Sequence, residues 1–247
     1  MIIYQRPEFT SPTACPYLPD QTLVYEFFFA GGLDGVELDW LLSRGWRKFG
    51  HYYFRPACPE CRACTPLRVS VEGFRPTRGQ RRVAAKCAAM RVTFGPIHYD
   101  DTLFELYQTH SRVRFGQECS FEEFAANLHS PSCPTLLASY ELDGRLVGAG
   151  YLDHGATSLS SVYFVFDPEI SRLSPGVYSV LREMEEARRL GLSHYYLGYL
   201  VPGCPRMTYK AAFRPHELYS WSADTWSEAQ DPGEDTDSCF SGWTAPD

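Results

Sequence analysis

The chain has 247 residues, 44% of them hydrophobic and 15% aromatic, which is enough apolar surface for a packed core and excludes a disordered polymer. The longest apolar run, around Tyr25–Ala30, falls far short of the ~20 residues of a membrane span, and Met1–Thr10 carries Arg6 and Glu8 without a signal-peptide pattern, so a cytosolic protein with no membrane partner is expected. The formal charge of −7 is uneven: from Asp224 onward there are seven acidic residues and no Lys or Arg, which leaves 23 acidic residues against 23 basic ones before that point.

Residues 1–95 are irregular and rich in Cys, Pro and aromatics. Strands are expected at Thr22–Ala30, His51–Phe54 and Leu67–Val71, with a short helix after Asp34. Cys58, Cys61 and Cys64 form a C-x-x-C-x-x-C run, and Cys15 lies upstream in a similar Pro-containing context. Thiolates at this spacing grip a zinc ion or an iron–sulfur cluster, and inert thiols in a tight loop are the plain alternative. A helix is expected from Thr77 to Met90, opened by a capping box of Thr77 and Gln80. Between Arg68 and Arg91 there are seven basic residues and one acidic, Glu72. Arg78, Arg82 and Lys86 follow i, i+4, i+8 and share a face, a pattern suited to phosphates, and Arg81 lies beside them.

From about Pro96 the pattern becomes regular. Helices are expected at Asp100–Arg114 and Ser120–His129. Thr135–Leu142 and Arg145–Leu152 flank the turn Asp143-Gly144 and read as a hairpin, followed by a strand at Ser158–Phe166. Ser174 and Pro175 open a helix ending at Gly191, with Val177, Val180, Leu181, Met184 and Ala187 as its apolar stripe. A strand at His194–Leu200, a short helix at Arg206–Phe213 and a strand at Glu217–Trp221 complete this part. The strand–helix–strand step over 158–200 is a right-handed parallel unit by default. The expected class is α/β (α+β): a GNAT-like acyltransferase domain over 96–223, preceded by a smaller Cys-containing α/β domain over 1–95. Residues 224–247 are expected as an acidic, solvated tail, in which Trp226, Phe240 and Trp243 are candidates to dock.

Two kinds of enzyme site are compatible with a fold of this class. Acetyl-CoA enzymes cradle pyrophosphate in a [QR]-x-x-G-x-[GA] turn; starting from Arg172, this chain has Pro175 and Val177 at the small positions, which counts against them. Tyr196-Leu197-Gly198-Tyr199 followed by Met207-x-Tyr209-Lys210 offers instead aromatics beside a glycine at a strand end, with a hydroxyl and an ammonium group after it.

These stretches, with Cys15-Pro16-Tyr17-Leu18-Pro19, Tyr53-Phe54-Arg55-Pro56, Phe74-Arg75-Pro76 and Ser174-Pro175-Gly176-Val177-Tyr178, resemble in order the bacterial aspartate/glutamate leucyl-tRNA–protein transferases, relatives of the arginyl-tRNA–protein transferases. The resemblance spans nearly all of residues 15–221. It implies charged tRNA as donor, Leu-tRNA favoured over Arg-tRNA, and proteins with N-terminal Asp or Glu as acceptors, marked thereby for degradation. It also implies an iron–sulfur cluster or zinc on Cys15, Cys58, Cys61 and Cys64, although the relatives' adjacent cysteine pair is not reproduced. No cofactor is required for transfer, because the donor is an activated ester. Under this scheme Asp167 binds or deprotonates the amine, Tyr209 donates to the leaving oxygen or oxyanion, and Lys210 or Arg214 pairs with the acceptor's acidic side chain. Tyr163, Tyr199 and Arg55 are further expected substrate contacts, and Arg78, Arg81, Arg82 and Lys86 the tRNA contacts. A non-catalytic metal-ribbon RNA-binding module is the rival from another class.

Overall fold

The computed structural model describes residues 1–229. The chain opens with β1 (Ile2–Phe9), the short β2 (Thr13–Ala14) and β3 (Thr22–Leu23), β4 (Tyr25–Gly31), α1 (Gly35–Ser43), β5 (Arg47–Phe49), β6 (Tyr52–Pro56), β7 (Thr65–Ser70) and α2 (Arg78–Lys86). It continues with β8 (Arg91–Pro96), α3 (Asp101–Phe115), α4 (Phe121–Leu128), β9 (Thr135–Leu142), β10 (Arg145–His154) and β11 (Ser158–Phe166). A 3-10 segment (Pro168–Leu173) leads into α5 (Pro175–Arg189), then β12 (His194–Leu200), α6 (Pro205–Thr208), a second 3-10 turn (Tyr209–Ala212), β13 (His216–Ser220) and β14 (Thr225–Glu228). No described helix is long and apolar enough to cross a membrane.

Local chemistry explains the element ends. Asp34, Thr77 and Ser120 each close a capping box, with Glu37, Gln80 and Glu123 respectively, which satisfies amides that a first helical turn leaves open. α2 stops at Lys86, short of the expected Met90, because Cys87–Met90 turns inward: Cys87 and Met90 are buried. Asp143 and Gly144 both take positive φ in the two-residue turn between β9 and β10, the geometry that matches strand twist. Ser174 differs from expectation. It sits at φ 57 and makes no side-chain cap bond; Pro175 alone starts α5.

The strands form a large sheet in the order β14-β13-β7-β12-β11-β10-β9-β8 and a smaller one in the order β1-β4-β6-β5. β11 and β12 run parallel across α5, the expected crossover, and the remaining pairs of the large sheet are antiparallel. The β9–β10 hairpin thus feeds a sheet with α5 as its central crossover helix, the element order expected from the sequence. On one face, α5 and α2 pack over Leu67, Val69, Leu159, Tyr195 and Leu197 through Val180, Leu181, Met184 and Ala187. The other face is shared. α3 and α4 cover β9–β11 around Tyr151, Phe124 and Val165, and α1 with the small sheet covers β12 around Tyr196, Phe28, Tyr53 and Trp46.

The expected boundary near residue 95 does not follow the sheets. β7 lies between β13 and β12, and β8 forms the far edge beyond β9, so both expected domains contribute to one sheet. The expected tail also starts later than 224. Thr225–Glu228 pairs with β13, held by Trp226, whose Nε1 donates to Ser43 O at 2.8 Å and whose ring packs on Tyr196. Phe240, Trp243 and the rest of 230–247 lie outside the described residues.

Candidate active site

β11 and β12 pair only through Ser158–Ser160 and His194–Tyr196. Beyond that they part, and the register says why. On β11 the pairing with β10 slips so that Val162 is an extra residue, and on β12 the pairing with β7 slips so that Leu197 is extra. Two bulges side by side re-aim both strands. Gly198 follows at φ +86, a left-handed conformation that side chains other than glycine rarely adopt.

Two cations line the parting. From β5, Arg47 donates through Nη1 to Ser160 Oγ at 2.7 Å and through Nη2 to Ser161 O. From the turn after α6, Lys210 Nζ donates to Tyr199 O at 2.9 Å. Each thus binds a backbone carbonyl on one of the two separated strands. A Cβ added to Gly198 would lie 3.4 Å from Lys210 Nζ and 3.9 Å from Arg47 Nη2, so both charges flank the same backbone position. Burial, and then the Arg47 charge, lower the Lys210 ammonium to about 7. Burial likewise pushes the Arg47 guanidinium below its ordinary value.

On the α5 side lies a buried carboxyl. Glu183 is fully buried, and its Oε2 accepts from the Tyr195 hydroxyl. Its Oε1 has no hydrogen-bond partner. Burial raises the carboxyl to about 7, against the hydrogen bond from Tyr195. Tyr209 is held protonated up to about 12, first by burial and then by the Glu183 charge.

The expected site residues fall into three groups. Lys210 stands at the parting, whereas Tyr209 packs on the α5 side against Phe213, within reach of the Glu183 charge. Tyr199 contributes its carbonyl, but its hydroxyl is spent inside the fold, donating to Gly45 O at 2.9 Å. Tyr163 lies on β11 among Phe49, Tyr107 and His110, and burial pushes its phenol to about 12.

The second group is corrected. Asp167 does follow β11, yet its carboxylate accepts from Arg145 Nη1 at 2.6 Å and caps the 3-10 segment at Glu169 N at 3.0 Å, so both oxygens already serve the local fold. Arg55 donates to Glu26 Oε2 at 2.7 Å across β4 and β6 and lies over Trp46; it staples the small sheet. Arg214 points toward Ala229 O, 3.5 Å away, at the β14 end.

The cysteines differ too. Cys15, Cys58 and Cys61 gather near Cys64, joined by Cys204, and burial with these neighbours pushes the Cys64 thiol to about 12. Cys58 Sγ donates to Val24 O at 3.7 Å. Among the described residues no group of three His, Cys, Asp or Glu is disposed to hold a metal ion. As placed, the set does not fit zinc or a cluster.

The third group is the basic helix. Arg78, Arg81, Arg82 and Lys86 are all exposed on α2; Arg81 donates to Pro76 O. Arg68 and Arg91 leave the basic face, paired with Glu217 and Glu141.

Sequence reasoning missed Arg47, Ser160, Ser161, Glu183 and Tyr195. For Glu183 a signal existed: it stands between Val180 and Ala187 on the apolar stripe of α5, where an ionisable group needs explaining. For Arg47 there was none, since its place depends on β5 meeting β11 across the fold.

Comparison with known proteins gives two family matches: "Arginine-tRNA-protein transferase, N terminus" over residues 13–82 and "Arginine-tRNA-protein transferase, C terminus" over residues 100–220. An aspartate/glutamate leucyltransferase of Gluconobacter oxydans is 36% identical over 222 residues, covering 86% of this chain and 92% of that one. One from Chromobacterium violaceum is 35% identical over 214 residues, covering 85% and 88%. Among solved structures, FemX aligns over 71% of this chain and 63% of its own at 11% identity, with a TM-score of 0.44.

Proposed function

Since the chain belongs to the arginine-tRNA-protein transferase family, we propose that it moves leucine from leucyl-tRNA to the α-amino group of proteins beginning with Asp or Glu. The observation that carries this reading is the kinship, over most of the chain, with enzymes named aspartate/glutamate leucyltransferase. The opening between β11 and β12 is where we set the reaction.

The acceptor's α-amino group has a pKa near ~8, so a neutral fraction is present at ordinary pH and a strong base is unnecessary. Its nitrogen attacks the ester carbonyl and the new C–N bond forms. The ribose C–O bond then breaks, and the proton lost by nitrogen ends on the ribose oxygen. Tyr209, a phenol kept protonated by burial, relays it, giving its own proton to that oxygen and taking the nitrogen's proton in exchange. Alignment of amine and ester does the larger share of the work. The donor ester supplies the driving force, so no nucleotide cofactor enters the step. The exposed face of Arg78, Arg82 and Lys86, with Arg81, holds tRNA phosphates.

The test offers Leu-tRNA and Arg-tRNA separately with peptides beginning in Asp, Glu or Lys. Leucine is expected on the Asp and Glu peptides only. Transfer of arginine instead, or extension of the Lys peptide, refutes the assignment.

A further inference from the structure

We infer that Arg47 and Lys210 together form the receptor for the carboxylate side chain of the acceptor's first residue, and so set its specificity. This rests on the transferase reading above.

The argument begins with charge. Two basic side chains flank Gly198, Arg47 from β5 and Lys210 from the turn after α6, and among the described residues each is hydrogen-bonded to neutral oxygens: Ser160 Oγ and Ser161 O for Arg47, Tyr199 O for Lys210. Carbonyls left unpaired by parting strands require donors, but a neutral hydroxyl or amide would serve without the cost of burying charge. The nearest carboxylate on the Arg47 side, Asp153, is already held by Lys48 Nζ at 3.0 Å. Glu183 lies on the opposite face, bound to Tyr195. Around Lys210 the other near groups are the thiols of Cys64 and Cys204. The Arg47 guanidinium, with Lys210 beside it, therefore has no anion of its own among the described residues, at the place where β11 and β12 part, and a bound carboxylate would draw the Lys210 amine toward its charged form.

An Asp or Glu side chain supplies that anion, and its two oxygens match a guanidinium and an ammonium placed side by side. An Asn or Gln side chain presents one acceptor and two N–H groups, which would face the cations with the wrong polarity. Arg47 lies in β5 and Lys210 beyond β12, so the receptor exists only when the small sheet is seated on the large one.

The experiment measures kcat/KM for peptides beginning in Asp or Asn, with the full chain and with Arg47→Gln, Arg47→Lys and Lys210→Met. The parent protein is expected to favour Asp strongly. Arg47→Gln is expected to lower the Asp value by about 30-fold or more through KM, as for loss of a buried charge contact, and the Asn value by a much smaller factor, so that the Asp-over-Asn preference collapses. Arg47→Lys keeps the preference in part. Equal losses on both peptides, or a parent protein indifferent to Asp and Asn, overturn the inference. Calorimetric binding of the unreacted Asp peptide to the tRNA-free protein is read alongside. Binding that Arg47→Gln and Lys210→Met each weaken supports the receptor even if no transfer occurs, in which case the transferase reading alone has failed. Binding indifferent to both changes overturns it.

Discussion

Glu183 is a carboxyl with no cation beside it, set among Tyr195, Tyr140 and Ser161. Its pKa in the folded chain, about 7, lies above its ordinary value of 4.5. Between those two values the folded state keeps a proton that the unfolded state has lost. The group's contribution to stability is therefore full below about 4.5 and disappears as pH rises through about 7, a loss on the order of 3 kcal/mol. Glu183→Gln imitates the protonated form at every pH. Its melting temperature relative to the parent protein is expected to climb between pH 5 and 7.5 and then level off. A difference that stays constant with pH would show that Glu183 is ionised in the fold. At this scale the sequence was half legible. Lys210 and Tyr209 stand out in the sequence because they follow a glycine at a strand end; Arg47 does not, because no local pattern marks a residue whose partners are 113 and 114 positions away.

Among elements, α2 reads most directly. Its capping box fixes where it starts, and the i, i+4, i+8 spacing puts Arg78, Arg82 and Lys86 on one exposed face, where none forms an ion pair with a described residue. Replacing all three by Gln is expected to weaken tRNA binding and to flatten the dependence of log affinity on log salt by about 2–3, close to one counterion per lost phosphate contact. Filter binding between low and moderate salt reads this; an unchanged slope moves the RNA elsewhere. Strands were harder. β9, β10, β11 and β12 alternate or run apolar between clear turns and were recognised. β1 and β14 were not, since edge strands with exposed side chains lack the buried face that gives a strand its period. The bulges at Val162 and Leu197 left no trace either, because a bulge is a relation between two strands.

The whole molecule is organised by β7. It comes from the first third of the chain, yet it pairs with β12 on one side and β13 on the other, and Leu67 and Val69 are fully buried there. A fragment of residues 96–229 would lack that strand and leave two inner edges bare. It is expected to show no cooperative melting transition, whereas the full chain melts as a unit; a fragment with native circular dichroism and a sharp transition would refute this. Cysteines and basic residues dominate the first stretch of the sequence and a regular strand–helix order the second, yet strands from both stretches share one sheet. Composition reports what each stretch contains; pairing partners depend on long-range geometry.

That same strand imposes an order of events during translation. Val69 emerges from the ribosome well over a hundred residues before Tyr195, its neighbour on one side, and before His216, on the other. Until both arrive, β7 must wait with its backbone donors and acceptors open to solvent or to other nascent chains. The half-made polypeptide is thus more exposed to misassembly than the finished one, and its dependence on chaperones should end abruptly once β13 clears the exit tunnel.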